Sequence, residues 1–269
     1  MLEASHRCAS VQPIAIAHAL AGAAFDAWLG IEGRDDLDDE VGMGADGTAT
    51  TRADRLVEEA MLEVAAEVGV DVLSEEAGFV DNGAGLVAVI DPVDGTRNAG
   101  RGVPFFCTSV AVGRRDLTGV QAGVVQNLVT GDSYAAVRGK GANVNGGAAS
   151  GRDVTRRDFD RNDVLVGLIA DYADVDTVTM MQRRNWHIRD LGSAALELCL
   201  VGTGALDAFH VPKPWLRVID IAAGTLFVRE AGGRVVAPGT ATDLEVPFDI
   251  TARTGITAVH DAVALEAFQ

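Results

Sequence analysis

With 269 residues, 48% of them hydrophobic, the chain carries enough apolar side chain for a large buried core, in one big domain or two closely packed ones. Its 39 acidic and 22 basic residues leave a formal net charge of −17. Such a surface repels nucleic acid and anionic membranes, so neither is an expected partner, and an anionic substrate needs a metal ion to invert the sign locally.

The acids are spread along the chain and only two lysines occur, Lys140 and Lys213. This reads as a solvated surface suited to a salt-rich, halophilic cytoplasm, where screening removes most self-repulsion; equal melting in low and multimolar KCl would count against it. Cys8, Cys107 and Cys199 are few and far apart, which points to a reducing cytoplasm and to small buried apolar side chains. The opening MLEASHRCAS has no basic run leading into an apolar segment, and no stretch of 18 or more apolar residues is evident, so neither a secretory leader nor a membrane span is expected.

In chain order, residues 11–29 are apolar but interrupted by His18 and Asp26, and read as a buried helix. GMGADGTATT is a turn or hairpin. Residues 52–68 have helical periodicity, with Ala53, Leu56, Val57, Ala60, Met61 and Val64 on one side. A short strand over 70–73 precedes Ser74-Glu75-Glu76, and LVAVI, residues 86–90, is a buried strand. Strands are expected over 107–112, 120–126 and 133–137, then a loop, RGKGANVNGG. The polar stretch SGRDVTRRDFDRND marks a boundary between subdomains 1–150 and 151–269. A strand over 164–170, a helix over 193–202, a strand over 205–210, a helix over 220–231 and short closing strands follow. Strands and helices mix throughout, as in layered α/β or α+β packing. Neither a P-loop nor a Gly-rich dinucleotide turn occurs.

The chemistry concentrates at Asp91-Pro92-Val93-Asp94-Gly95-Thr96, directly after the LVAVI strand. Carboxylates at the carboxyl end of a strand sit where α/β sheets bind ligands. Pro92 stiffens the turn, and Asp91, Asp94 and the Val93 carbonyl offer the oxygen ligands that Mg²⁺ prefers. Gly95 admits close backbone approach. If a helix starts here, the N–H groups of Gly95 and Thr96 can hold a phosphate. A D-x-x-D pair in so acidic a chain is common on a solvated turn, but three further carboxylates favour a site. Glu75 could reach the same metals, Asp54 lies on the first turns of a helix, and Asp220 opens an Ala/Gly helix among apolar neighbours, where a carboxylate needs a partner. The five histidines are scattered, which disfavours zinc.

GADGTATTRAD, SEE, DPVDGT, GSAALELCLVGTGALDAF and VIDIAAGTLFVREAGG together resemble the inositol monophosphatase family, nearest to archaeal-type members acting on inositol monophosphate and fructose 1,6-bisphosphate. The resemblance runs from about Gly44 to Gly233. It implies a layered αβαβα sandwich, a homodimer, and two or three Mg²⁺ held by Glu75, Asp91, the Val93 carbonyl, Asp94 and Asp220. By the same resemblance, Glu75 and Thr96 activate water, Asp54 bonds Thr96, and the Gly95 and Thr96 amides hold the phosphate. Gly192, Ser193 and Ala194 line the sugar side. The segment DAFHVPKPWLRVID departs from the animal-type inositol enzymes, with His210-Val211 where those have a Glu and Ile219 where many have Trp. One of Arg189, Lys213 and Arg217 could contact the second phosphate of a bisphosphate, and Arg217 is the choice tested by substitution. Two other readings remain: a relative hydrolysing 3′-phosphoadenosine 5′-phosphate, for which no aromatics placed as an adenine slot are evident, and a non-catalytic regulatory binding protein.

Overall fold

The structure, a computed structural model, describes residues 12–148 and 159–268. Cys8, the N-terminal ten residues and most of the polar stretch at the expected boundary lie outside the described residues.

Helix α1 (Pro13–Ile31) starts on a proline, whose missing N–H costs nothing at the first helical position. A hairpin of β1 (Glu40–Met43) and β2 (Ala49–Thr51) leads into α2 (Arg52–Val68). Thr51 and Asp54 close a capping box at the start of α2, and Gly69, in the left-handed region, ends it. Then come β3 (Asp71–Ser74), β4 (Gly78–Val80), β5 (Val87–Asp94), α3 (Thr96–Arg101), β6 (Cys107–Gly113), β7 (Val120–Asn127), β8 (Ser133–Val137), β9 (Gly141–Val144) and β10 (Gly147–Ala148). The second half holds β11 (Leu165–Gly167), α4 (Val175–Arg183), β12 (His187–Arg189), α5 (Ala194–Thr203), β13 (Ala208–Leu216), α6 (Val218–Glu230), β14 (Arg234–Val236), β15 (Thr254–Val259) and α7 (Ala262–Leu265).

The larger sheet has the order β10-β9-β8-β7-β6-β5-β3-β4, antiparallel except for the parallel pair β3 and β5. The smaller has the order β12-β11-β13-β15-β14. Period-2 alternation assigns successive residues to opposite layers. Val72, Ala88, Ile90, Val110, Val112 and Val124 face α1 and α2, whereas Leu73, Val89, Ala111 and Val125 face α5 and α6. On the smaller sheet, Phe209 and Ala258 point back to α5 and α6, while Ala208 and Val259 pack with Met181 of α4 and Ala264 of α7. The outcome is a layered αβαβα sandwich, as the resemblance implied. α6 is buried on nearly every side, which its Ala-Ala-Gly start permits: a Cβ on Gly224 would stand 2.7 Å from Leu198 Cβ.

Several elements differ from expectation. Helix α1 is long and apolar enough to cross a membrane by length and composition, which the sequence reading did not recognise. Its Ile16, Leu20, Ala24 and Trp28 pack into the core beneath the larger sheet. The glycine-rich RGKGANVNGG holds β9 and β10, and the strand expected over 164–170 is only three residues long, followed by a 3₁₀ turn, Ala170–Tyr172. The helix envisaged after DPVDGT is the short α3, whereas α4 and β12 were not anticipated.

Candidate active site

β5 delivers the motif. Its pairing with β6 runs regularly from Val87↔Gly113 to Asp91↔Ser109, then slips, so that Asp94 faces Cys107. The slip inserts one extra residue on β5, a bulge that turns both carboxylates toward the same end of the sheet. Pro92, with no N–H to leave unpaired, sits inside it. Gly95 follows at φ 93, and a Cβ there would stand 3.0 Å from the Gly192 carbonyl oxygen and 3.1 Å from Phe106 Cβ. Glycine is required on both counts.

Asp94 is fixed by the opposite layer. Ser193 Oγ donates to its Oδ2 at 2.6 Å and the Ala195 amide at 2.7 Å, so the N-terminus of α5 is turned onto this carboxylate. Burial raises its pKa to about 6 against those bonds, with Asp220 adding to the rise. Asp91 is 2% exposed, and its Oδ1 has no hydrogen-bond partner. Burial, then Glu75 and Asp94, push its pKa well above the usual range. Thr96 Oγ1 lies 2.9 Å from the Val93 carbonyl and 3.1 Å from Asp54 Oδ1. Asp54 is itself held by the Thr51 hydroxyl at 2.7 Å.

The remaining carboxylates converge on one guanidinium. Arg217 pairs with Asp46 at 2.6 Å, with Asp220 at 2.8 Å and with Glu75. Its own backbone N–H donates to Asp220 at 2.6 Å, so the cap that starts α6 also aims this carboxylate. Burial opposes the charge on Arg217, but Asp220, Glu75 and Asp91 outweigh it and drive its pKa up. The hairpin tip docks on the SEE turn: the Ala45 amide donates to the Glu76 carbonyl at 3.0 Å and the Asp46 amide to the Glu75 carbonyl at 3.3 Å. Beneath that turn, Glu58 of α2 accepts from the Ser74 hydroxyl and, at 3.0 Å, from the Ala77 amide.

Glu75, Asp91, Asp94 and Asp220 therefore share one neighbourhood, with Asp54, Val93, Gly95 and Thr96 beside them. Gly192 is exposed, with φ 82, and is tied in through Leu191, whose carbonyl accepts from Asn98 Nδ2 at 2.8 Å. Ser193 and Ala194 are buried under it. Arg217 lies among the carboxylates. Lys213 pairs with Asp174 at 3.3 Å. His210 is buried beside Phe268, and burial lowers its pKa to about 4, so it packs as a neutral core ring. Asp46 had not been singled out as a site residue. Its signal was local: an aspartate before glycine in a hairpin tip, held at Oδ1 by the Thr48 amide (2.8 Å) and hydroxyl (2.7 Å), leaving Oδ2 for a distant partner.

Among the described residues no three His, Cys, Asp or Glu side chains are drawn together tightly enough to clasp an ion as they stand. Arg217 occupies the space between Asp46, Glu75 and Asp220. The donor set still fits a hard divalent cation. All its donors are oxygens, five carboxylates face a single guanidinium, and Asp91 keeps an orphaned oxygen. Cys107 cannot serve as a thiolate, since burial pushes its pKa well up.

Residues 11–268 match the inositol monophosphatase family. A fructose-1,6-bisphosphatase/inositol-1-monophosphatase of Methanothermobacter thermautotrophicus is 36% identical over 84% of this chain and 84% of its own. A bifunctional NADP phosphatase/NAD kinase of Methanococcus maripaludis is 34% identical over 82% of this chain but 42% of its own length. The solved inositol monophosphatase–fructose 1,6-bisphosphatase superposes with a TM-score of 0.81 at 27% identity, covering 94% of this chain and 96% of that one. The chain belongs to the inositol monophosphatase family, and is a phosphatase.

Proposed function

We propose that the protein hydrolyses phosphate monoesters of small sugars or polyols, fructose 1,6-bisphosphate and inositol monophosphate among them, at a magnesium centre held by Glu75, Asp91, the Val93 carbonyl, Asp94 and Asp220. The observation that carries this reading is the buried, unpartnered Asp91 Oδ1 among five carboxylates that one arginine cannot neutralise. Bound there, the ions supply Lewis acidity toward water and the phosphate oxygens.

Thr96 and Glu75 orient the attacking water, and Glu75, with a pKa raised chiefly by burial, takes its proton. With the Val93 carbonyl turned to the metal, the Thr96 hydroxyl donates its hydrogen bond to Asp54, which leaves the Thr96 oxygen lone pairs for the water. The amides of Gly95 and Thr96 hold the phosphate, and Gly192, with Ser193 and Ala194 beneath it, shapes the sugar side. Arg217 is the charge available to a second phosphate once it leaves its carboxylates. Among the described residues at this site no Ser, Cys or His stands ready to form a covalent intermediate: Ser193 is committed to Asp94, and burial, which raises the Cys107 pKa, disfavours its thiolate. Two copies are proposed to associate as a homodimer in a salt-rich cytoplasm, which a solution mass measurement checks.

Inorganic phosphate should be released from fructose 1,6-bisphosphate and inositol 1-phosphate, stop with EDTA and return with Mg²⁺. Release that is indifferent to EDTA, or none from any monoester, would overturn the reading.

A further inference from the structure

The turn assigned to the phosphate and the loop assigned to the sugar side meet through their backbones. A Cβ on Gly95 would stand 3.0 Å from the Gly192 carbonyl oxygen, and a Cβ on Gly192 would stand 2.9 Å from Asn98 Nδ2. Both glycines are in the left-handed region, at φ 93 and φ 82, so neither position suits another side chain. Asn98, half-buried on α3, stands at this seam.

An asparagine amide nitrogen carries two N–H groups, and Asn98 Nδ2 donates to two carbonyls. One is Phe105 at 2.8 Å, in the loop that follows α3. The other is Leu191, also at 2.8 Å and 93 residues away. The Asn98 backbone closes the near side: its N–H donates to the Gly95 carbonyl at 2.8 Å, and its carbonyl accepts from Val103 at 2.9 Å. On the far side the Leu191 amide donates to Glu197 Oε1 at 3.2 Å. Leu191 is thus held at both polar backbone atoms, by α3 from one half of the chain and by α5 from the other. Asp94 already fixes Ser193 and Ala195. What Asn98 adds is the placement of Leu191-Gly192, the step just before.

We propose that Asn98 is a positioning residue that sets the distance between the phosphate subsite at Gly95-Thr96 and the sugar subsite at Gly192, without touching substrate itself. The inference rests on the phosphatase reading above. The carboxylates of the centre are carried by β5, the SEE turn and α6, whereas the Asn98 side chain reaches across to the sugar loop. Losing that bond weakens the grip on the sugar and spares the reacting phosphate. An ionised aspartate has the same shape but no donor, and sets an oxygen against two carbonyl oxygens. An alanine leaves both carbonyls to water.

The test compares inositol 1-phosphate with p-nitrophenyl phosphate, an ester whose leaving group has no sugar hydroxyls, in wild type, Asn98→Ala and Asn98→Asp. KM for inositol 1-phosphate should rise about tenfold in Asn98→Asp and less in Asn98→Ala, with kcat within about twofold of wild type. KM for p-nitrophenyl phosphate, and competitive inhibition by inorganic phosphate, should stay within about twofold in both variants. A packing role alone would reverse the order, since aspartate fills the site and alanine empties it. Equal losses for both esters, a loss confined to kcat, or a larger effect in Asn98→Ala would each overturn the assignment. If Asn98→Asp does not fold, the split between the two esters in Asn98→Ala decides alone. Amide hydrogen exchange needs no turnover: residues 190–193 should exchange faster in the variants while α5 stays protected, and unchanged exchange would overturn the clamp. If wild type hydrolyses neither ester, the phosphatase reading fails instead, while exchange still decides whether Asn98 holds the loop.

Discussion

Asp91 and Asp94 on one side of the cluster, and Asp46, Glu75 and Asp220 on the other, meet the same problem of buried negative charge in opposite ways. The second group is neutralised from within, because Arg217 spans all three. In the first, Asp94 receives a hydroxyl and an amide, while Asp91 receives nothing at Oδ1. A folded protein rarely leaves such a group unpaired without a use for it. On the magnesium-centre reading proposed above, the half without an internal cation receives an external one, and Arg217 gives way from the other half. The cap between Arg217 and Asp220 is made by the Arg217 backbone N–H, so it does not depend on where the guanidinium lies.

The largest effect should come from the uncompensated half. Asp91→Asn should lower phosphate release about a thousandfold, a loss of some 4 kcal/mol in transition-state stabilisation. It should also raise the melting temperature in EDTA at pH 8, because a buried charge is gone, and abolish the gain on adding Mg²⁺. An unchanged Mg²⁺ gain would remove Asp91 from the ligand set.

A smaller effect should come from the neutralised half. Arg217→Ala leaves three carboxylates facing one another, and stripping one partner from a buried pair costs about 3 kcal/mol. Melting in EDTA should drop accordingly. Melting with Mg²⁺ should recover more than in wild type, because the ions no longer displace a resident cation. Equal losses with and without Mg²⁺ would mean that Arg217 only props up the fold.

This division also explains what the sequence disclosed. Asp91, Asp94 and Thr96 were legible because a buried strand, a proline and a glycine fix them within six residues. Asp220 was legible because an acid opening an apolar helix needs a partner. The shared centre followed from the family resemblance; spacing alone said of Glu75 only that it could reach the same metals. The role of Arg217 within the cluster was not legible, since its partners come from three elements and only the packed fold supplies them. The contacts of Asn98 were hidden for the same reason. Among the elements, β9 was masked by glycines that suppress strand propensity until β8 supplies a partner. α4 buries little beyond Met181, so its apolar stripe was too thin to read.

The smallest effect tests the layer behind Asp94. Glu197 on α5 is fully buried; its Oε1 accepts from the Leu191 amide at 3.2 Å and its Oε2 has no partner. Burial, then Asp190 and Asp94, raise its pKa to about 9 from 4.5, while the Leu191 and Gly192 amides pull the other way. The folded protein thus keeps a proton that the unfolded chain has released, so stability falls as pH rises from about 4.5 to about 9. Glu197→Gln cannot ionise, yet its carbonyl can still accept from Leu191. Its melting temperature should therefore be flatter over that range than in wild type, and higher at pH 9. Phosphate release at pH 7 should be little changed, because the neutral side chain is already the working form. Glu197→Leu removes the acceptor, leaves the Leu191 amide unpaired at a cost of about 1–3 kcal/mol, and should raise KM by loosening Gly192. A pH dependence that survives in Glu197→Gln would assign it to other acids, with Asp94 and Glu76, raised to about 6 and about 7, the first to examine.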